Sequence, residues 1–296
     1  MDKYINCIAH NSSEGNLLIG DSRTALIDCG MAFCAAETIQ KVKNALNGRP
    51  LDYIFITHTH YDHIGALPYF RAEWPELLTV TSTIGAEVLL KDTPRRVIRE
   101  FSFVAAASHG ITMDAANTDG GSWNPSVFRG DVIVKNGEGI SLGALTVKAL
   151  ETPGHTRDSL SFFVPELEML VLNETMGVLM PDESIFPCYL SSYADTIGSI
   201  EKCRQVPHRV LSLPHRGIAS SEEVDGFFDK AHAANTACRD FILKMKKDGL
   251  NENEMLDLFF QLYSSEMLLS FQPKEAFFAN TRATISCTLR ENLSNG

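Results

Sequence analysis

The sequence has no apolar run approaching the roughly 20 residues that cross a bilayer. Its first ten residues, MDKYINCIAH, lack the apolar stretch of about 7–15 residues that marks a secretory leader. The expectation is a cytoplasmic protein with no membrane partner. A basic surplus is also missing. Lys and Arg number 26 against 37 Asp and Glu, a formal net charge of −11. Nucleic-acid binders need clustered cations to displace counterions from phosphates, so nucleic acid is not the expected partner. No C-x-x-C pair occurs. Cys7, Cys29, Cys34, Cys188, Cys203, Cys238 and Cys287 are odd in number and scattered. That pattern argues against a disulfide framework or a Cys-rich zinc module, and for buried reduced thiols. Internal repeats and low-complexity tracts are absent too.

What the chain does have is alternation. "NLLIG" and "TALIDCG" read as short strands within residues 5–30, and residues 35–47 have helical spacing, with Ile39, Val42, Ala45 and Leu46 on one face. Tyr53–Ile56 is a buried-strand run, followed by a helix over 65–71 and a strand in "LLTVTS". Strand–helix–strand order predicts an α/β layering. Residues 84–110 read as a helical insert and 111–130 as a long loop rich in Gly, Asn, Asp and Pro. Four strands are expected in 131–172 ("DVIVKN", "LTVKALET", "LSFFV", "EMLVLN"), then a helix over 194–204 and a strand in "RVLSLP". From Ser220 the pattern becomes three helices, 221–248, 251–262 and 273–292. The expected organisation is a body over 1–219 and a helical C-terminal cap over 220–296.

The chemistry concentrates in His58-Thr59-His60-Tyr61-Asp62-His63, directly after the buried strand. Side chains of an extended segment alternate, so His58 and His60 point to one side and can grip one divalent cation. Asp62 and His63, on the turn that follows, can grip a second. Neutral imidazoles and carboxylates suit Zn, Fe, Mn or Ni. Two further segments carry His after a strand: Thr152-Pro153-Gly154-His155-Thr156 and Leu213-Pro214-His215-Arg216-Gly217.

Together these motifs resemble the metallo-β-lactamase-fold hydrolases, over about residues 5–217. The likeness includes the opening strands that end in Asp28-Cys29-Gly30. It implies a four-layer αβ/βα sandwich, carrying here a helical insert and a helical C-terminal cap. It implies two divalent metal ions, Zn foremost, with His155 completing a site with His58 and His60, and His215 on the second metal. His208, in Pro207-His208-Arg209, precedes the strand that His215 follows, and so lies at its other end. The family's usual Gly-Asp-Thr is replaced by Asn173-Glu174-Thr175, which puts Glu174 where a bridging Asp is expected. Its side chain reaches farther by about one C–C bond, ~1.5 Å. Asn173 is the lesser alternative ligand. Within the superfamily, His58 through Tyr69 is similar to the corresponding segment of the quinolone-signal thioesterase group of pseudomonads.

The implied reaction is attack by a metal-bound hydroxide on a small ester, thioester or lactone, since a bound divalent metal lowers the pKa of its water from 15.7 to roughly 7. Asp62 is the expected catalytic residue, orienting the nucleophile and accepting its proton. Arg157 and Asp158 are candidates for positioning the ligands, or are loop charges. Tyr189 and Tyr193, in a Pro-containing loop after Glu174, are candidate substrate-binding residues. The apolar run from Phe259 to Phe278 packs the cap on the body, with one edge available to an acyl group. Two alternatives stay open: phosphodiester hydrolysis by the same site, and a non-catalytic ligand-binding regulator that kept the fold. A di-iron oxidoreductase fits less well, because those relatives resemble H-x-E-x-D-H with an appended flavin domain and here His60 replaces that Glu. The expected partner is a small-molecule substrate, and a homodimer is left open.

Overall fold

The computed structural model describes residues 4–6, 15–113 and 126–293. Two six-stranded sheets pack face to face. The first runs, in spatial order, β1 (Tyr4–Asn6), β2 (Asn16–Ile19), β3 (Thr24–Ile27), β4 (Tyr53–Phe55), β5 (Leu78–Thr81) and β6 (Val132–Ile133). Its first three strands are antiparallel, and β3 to β6 are parallel. The second contains β7 (Gly139–Ser141), β8 (Thr146–Glu151), β9 (Leu160–Val164), β10 (Met169–Val171), β13 (Val210–Leu213) and β14 (Gly217–Ile218), with β10 and β13 parallel. Between them in the chain, β11 (Val178–Leu179) and β12 (Ile185–Phe186) form a separate hairpin.

Period-two alternation sorts each strand between two cores. Leu18, Ala25, Ile27 and Phe55 of the first sheet face Val147, Phe162, Val164 and Met169 of the second. Phe55 and Phe162 meet edge to face at 5.3 Å, a contact worth about 0.5–1.5 kcal/mol beyond area burial. Their neighbours Leu17, Leu26 and Ile54 point outward, against α1 (Ala35–Leu46), α2 (Tyr61–Ile64), α3 (Leu67–Glu73), α4 (Thr83–Leu89) and α5 (Asp92–Ser108). Leu170, Leu211 and Leu213 point outward from the second sheet, against α6 (Tyr193–Arg204) and the start of α8 (Phe227–Lys247). The layering is helix–sheet–sheet–helix, as expected.

The remaining helices are α7 (Ser221–Val224), α9 (Glu252–Tyr263), α10 (Glu266–Phe271) and α11 (Lys274–Leu293). Phe227, Phe228 and Ala231 share one core with Leu170 and Leu211, so α8 begins as part of the outer layer. Farther on, Met255, Leu256, Phe259 and Ile285 build a separate core with Tyr189 and Cys238.

Local differences from expectation have physical causes. The insert is two helices, because Pro94 has no N–H to continue a helix through Leu90 and Lys91 but sits comfortably in the first turn of α5. The expected helix 221–248 divides at Gly226, whose φ is 73°. The centre of the expected loop 111–130 lies outside the described residues. Cys29, Cys34, Cys188, Cys203, Cys238 and Cys287 are buried, and none of these six is in a disulfide. Among the described residues no helix is long and apolar enough to cross a membrane.

Candidate metal centre

The C-terminal ends of β4, β8, β10 and β13 gather at one rim, and each delivers part of the site. In layered α/β folds this is where ligands collect. After β4 the chain passes through Thr57 and His58 to His60, whose extended backbone starts α2. Asp62 and His63 lie on that single helical turn. His155 follows β8, Glu174 follows β10 and His215 follows β13.

These seven residues form two groups. His58, His60 and His155 are one; Asp62, His63, Glu174 and His215 are the other. Within each group one donor atom per residue lies within 4.8 Å of the rest. In the first, His155 Nδ1 donates to the Cys188 carbonyl (2.6 Å), so Nε2 carries the lone pair, 3.1 Å from His60 Nδ1. His58 is fully buried, and its Nε2 has no hydrogen-bond partner. In the second group, Glu174 Oε1 sits 2.6 Å from His63 Nε2 and 2.9 Å from His215 Nε2. Its Oε2 is 3.5 Å from His58 Nδ1 in the first group, and is buried without a hydrogen-bond partner. The Asp62 Oδ2 atom is 3.9 Å from His63 Nε2 and 3.8 Å from His215 Nε2, while its Oδ1 is buried and unpartnered. Buried polar atoms without partners are costly and uncommon. Three of them converging on two rings of N and O donors is the arrangement two divalent cations would satisfy.

An outer layer of hydrogen bonds fixes the donors. Asp28 closes β3 in the left-handed region (φ 57°), and its carboxylate accepts from Thr57 N (2.8 Å), Thr57 Oγ1 (2.7 Å) and His63 Nδ1 (2.8 Å). It therefore sets the tautomer of His63 and aims Nε2 into the site. In the sequence Asp28 stands out only as part of an opening motif, and that motif is the one signal of its role. Asp158 is buried, and its Oδ2 accepts from Thr59 N (3.0 Å), while its carbonyl accepts from Ser82 Oγ (3.1 Å). Ser82 in turn caps α4. Asp158 is thus a positioning residue, whereas Arg157 is exposed at the cavity wall. Gly154 has φ 143°, and a Cβ there would fall 2.1 Å from Thr196 Oγ1, so the turn before His155 requires glycine.

The electrostatics differ between the groups. Burial pushes His58 well below the ordinary imidazole range, and lowers His60. His155 is pushed down to about 4, by burial and then by His60. These rings stay neutral and offer lone pairs. Burial also opposes charge on His63, but Glu174, Asp28 and Asp62 outweigh it and hold the ring well above the ordinary value. Burial would likewise raise Glu174, but His63 and His58 overcome it and keep the carboxylate ionised well below its usual range.

Both groups open into a cavity of about 600 Å³. One wall comes from α4 and α5 (Ile84, Val88, Val97, Ile98, Phe101), the other from α10 and α11 (Leu268, Ala276, Ala279, Ala283), with Val178 and Phe186 of the hairpin beside the floor.

Several expected site residues stand elsewhere. Tyr189 and Tyr193 do not line the cavity. The Tyr189 side chain is fully buried in the cap core, with its hydroxyl 2.9 Å from Thr288 Oγ1, and Tyr193 Oη lies 3.1 Å from Thr236 Oγ1. Packing against the C-terminal helices engages both rings and both hydroxyls, so the structure does not bring these two expected substrate-binding residues to the cavity. Asn173 is also spent, donating to Thr152 Oγ1 and the Leu160 carbonyl and accepting from Thr175 N. His208 bonds the Val206 carbonyl and packs on Phe228, outside both groups. Of the apolar run 259–278, Phe259, Phe260, Phe277 and Phe278 pack inside the cap, and Leu268 reaches the cavity. The side chains of Met267 and Phe271 lie outside the described residues.

Residues 16–215 match the model of the metallo-beta-lactamase superfamily. The chain belongs to that superfamily. Among relatives of this metallo-β-lactamase-fold chain, a nitric oxide reductase of Moorella thermoacetica is 30% identical over 161 residues, 54% of this chain and 33% of that protein. Glyoxylase B2 of Dictyostelium discoideum is 22% identical over 258 residues, 80% of each chain. A hydroxyacylglutathione hydrolase of Bartonella henselae is 24% identical over 172 residues, 57% of this chain and 51% of that protein. The chain thus spans a third to a half of the first and last of these. A metallo-β-lactamase family protein of Thermus thermophilus has the same fold, with a TM-score of 0.62 at 18% identity over 94% of this chain and 88% of that one.

Proposed function

We propose that the protein is a dinuclear metal-dependent hydrolase of small esters or thioesters with an apolar acyl part. The observation that carries this reading is the convergence of seven N and O donors, in two groups linked by Glu174, on the floor of a largely apolar cavity. His58, His60 and His155 would hold one cation, and Asp62, His63, Glu174 and His215 the other. Their mixed imidazole and carboxylate character suits Zn, and also Fe or Mn. Two bound divalent cations supply a hydroxide at neutral pH and positive charge for a developing oxyanion. The chain's own groups do the rest. Asp62 Oδ1, buried and unpartnered, is placed to accept the nucleophile's proton and orient it. Glu174 fixes the spacing of the two groups, and Asp28 holds His63 in its tautomer. The walls of α4, α5 and α11 exclude water from the reacting carbonyl and bury the acyl part.

The likeness to a hydroxyacylglutathione hydrolase and a glyoxylase, at 24% and 22% identity, supports acyl transfer to water. The apolar walls favour it over phosphodiester cleavage, since a phosphodiester would leave them facing a charged backbone. Glu174 reaching both groups argues against a non-catalytic remnant. The test is metal analysis of the purified protein together with turnover of acyl-thioester, aryl-ester, lactone and bis-p-nitrophenyl phosphate panels. Two metals per chain and turnover of carboxyl esters or thioesters are expected. Protein that takes up no Zn, Fe or Mn and cleaves nothing on the panel contradicts the reading.

A further inference from the structure

The cavity that opens over the metal centre is not uniformly apolar. Lys91 and Arg157 both line it: Lys91 at the junction of α4 and α5, Arg157 two residues after His155. Neither side chain has an ion-pair partner among the described residues, whereas Arg23, Lys43, Arg71 and Arg204 each have one. Lys91 is also the N-cap of α5, a helix of 17 residues, and no side chain caps that end. Its first backbone N–H groups, near the cavity-lining Pro94, add partial positive charge. Asp92 in that first turn is already engaged by Arg95 at 2.5 Å. The only acid on the same stretch of wall is Glu87, one helical turn before Lys91, and among the described residues it makes no ion pair with Lys91. Two cations without ion-pair partners thus line one cavity, in a protein of net charge −11.

We infer that the substrate carries an anionic group of carboxylate or phosphate type, separated from the scissile carbonyl by an apolar spacer. Lys91 and Arg157 receive that group while the carbonyl lies at the metal centre. The inference rests on the proposed hydrolytic reading and narrows its substrate class. The apolar walls take the spacer, and the cations take its charged end. A built-in partner for either cation would occupy the position the ligand needs.

Matched probes separate the charge from the rest of the molecule. p-Nitrophenyl hydrogen adipate and its methyl ester differ at one end only, and p-nitrophenyl 6-phosphonohexanoate replaces the carboxylate by a phosphate-like group. Wild-type enzyme is expected to prefer an anionic probe over the methyl ester by about tenfold or more in kcat/KM, through KM, as for a charge pair at a partly desolvated rim. Which anion is preferred tells carboxylate from phosphate. In the Lys91→Ala/Arg157→Ala protein the preference collapses toward unity, and Lys91→Arg retains it. A preference that survives in the double variant assigns it to the metals and overturns the inference, as does equal turnover of neutral and charged probes. Calorimetric binding of monomethyl adipate and dimethyl adipate to the purified protein gives a readout independent of turnover. The acid is expected to bind wild type more tightly than the diester, and the double variant is expected to lose that difference. If no probe is cleaved but this difference is present, hydrolysis fails and the anion site stands. If probes are cleaved and the difference is absent, the anion site fails and hydrolysis stands.

Discussion

The two halves of the metal centre are held by different means. His58, His60 and His155 form a group of neutral rings, kept so by burial, anchored through neutral partners: His155 to the Cys188 carbonyl and His58 Nδ1 to Thr57 Oγ1. Asp62, His63, Glu174 and His215 form a group of mixed charge, in which Asp28 and Glu174 flank His63 on both nitrogens. The first can take a cation by replacing nothing more than a proton shared between His60 and His155. The second must release a proton held by carboxylates, but it offers negative charge in return. Glu174 ties the two together, because its two oxygens face different groups. The difference implies that the halves respond differently to mutation and to pH.

The largest effect is expected at the tie. Glu174→Gln keeps the size of the side chain but removes the charge, and should weaken metal binding at both halves. A loss of at least about a hundredfold in affinity and in kcat/KM is expected, beyond what removal of an outer partner alone produces. Isothermal titration with Zn and steady-state kinetics check it. His155→Ala should break the symmetry. It removes one donor from the neutral group only, so one of two equivalents should be retained in a metal titration while turnover falls. Loss of both equivalents would mean the halves fill as one unit.

Asp28→Asn acts on the other half from outside. It leaves an acceptor for Thr57 but withdraws the negative charge behind His63. Metal affinity should drop by about 10–100-fold at the carboxylate-rich half, with little change at the histidine half. The pH response sharpens the contrast further in metal-free protein. His155, pushed down to about 4, binds its proton only in the unfolded chain between about 6.5 and 4. Its stabilising contribution is whole above about 6.5 and is lost as pH falls through that window. His63 is raised, so its contribution is whole below about 6.5 and is lost as pH rises through its folded value. Imidazole titration by NMR should show His155 still neutral at pH 5, and His63 losing its proton at higher pH than an ordinary imidazole. The smallest effect is expected away from the site. Tyr189→Phe removes the Thr288 hydrogen bond and should cost about 1 kcal/mol of stability with unchanged kcat/KM.

How much of the structure is legible in the chain depends on how local each signal is. The ligand motifs are local: His58 to His63 follow one strand, and His155, Glu174 and His215 each follow another, so order and strand ends suffice to bring them to one rim. Glu174 is recognisable because its position, not its identity, fits the pattern. Tyr189 and Tyr193 mislead because nothing in a Pro-containing loop tells whether a ring faces a cavity or the helices 40 to 100 residues later that cover it. The hairpin of β11 and β12 is invisible because two-residue strands have no period to detect. Pro94 and Gly226 are visible, but their consequence depends on whether the helix around them must continue. Asp28 and Asp158 hold the site through contacts 29 and 99 residues distant, which the local sequence marks only by the opening motif around Asp28.

The central claim is that Glu174 joins two metal sites into one centre. Anomalous diffraction from crystals grown with Zn tests it most directly. Two peaks are predicted, one among His58, His60 and His155 and one among Asp62, His63, Glu174 and His215, with Glu174 carboxylate oxygens at about 2.0–2.2 Å from metal. A single peak, or two peaks with Glu174 turned away from both, would contradict it.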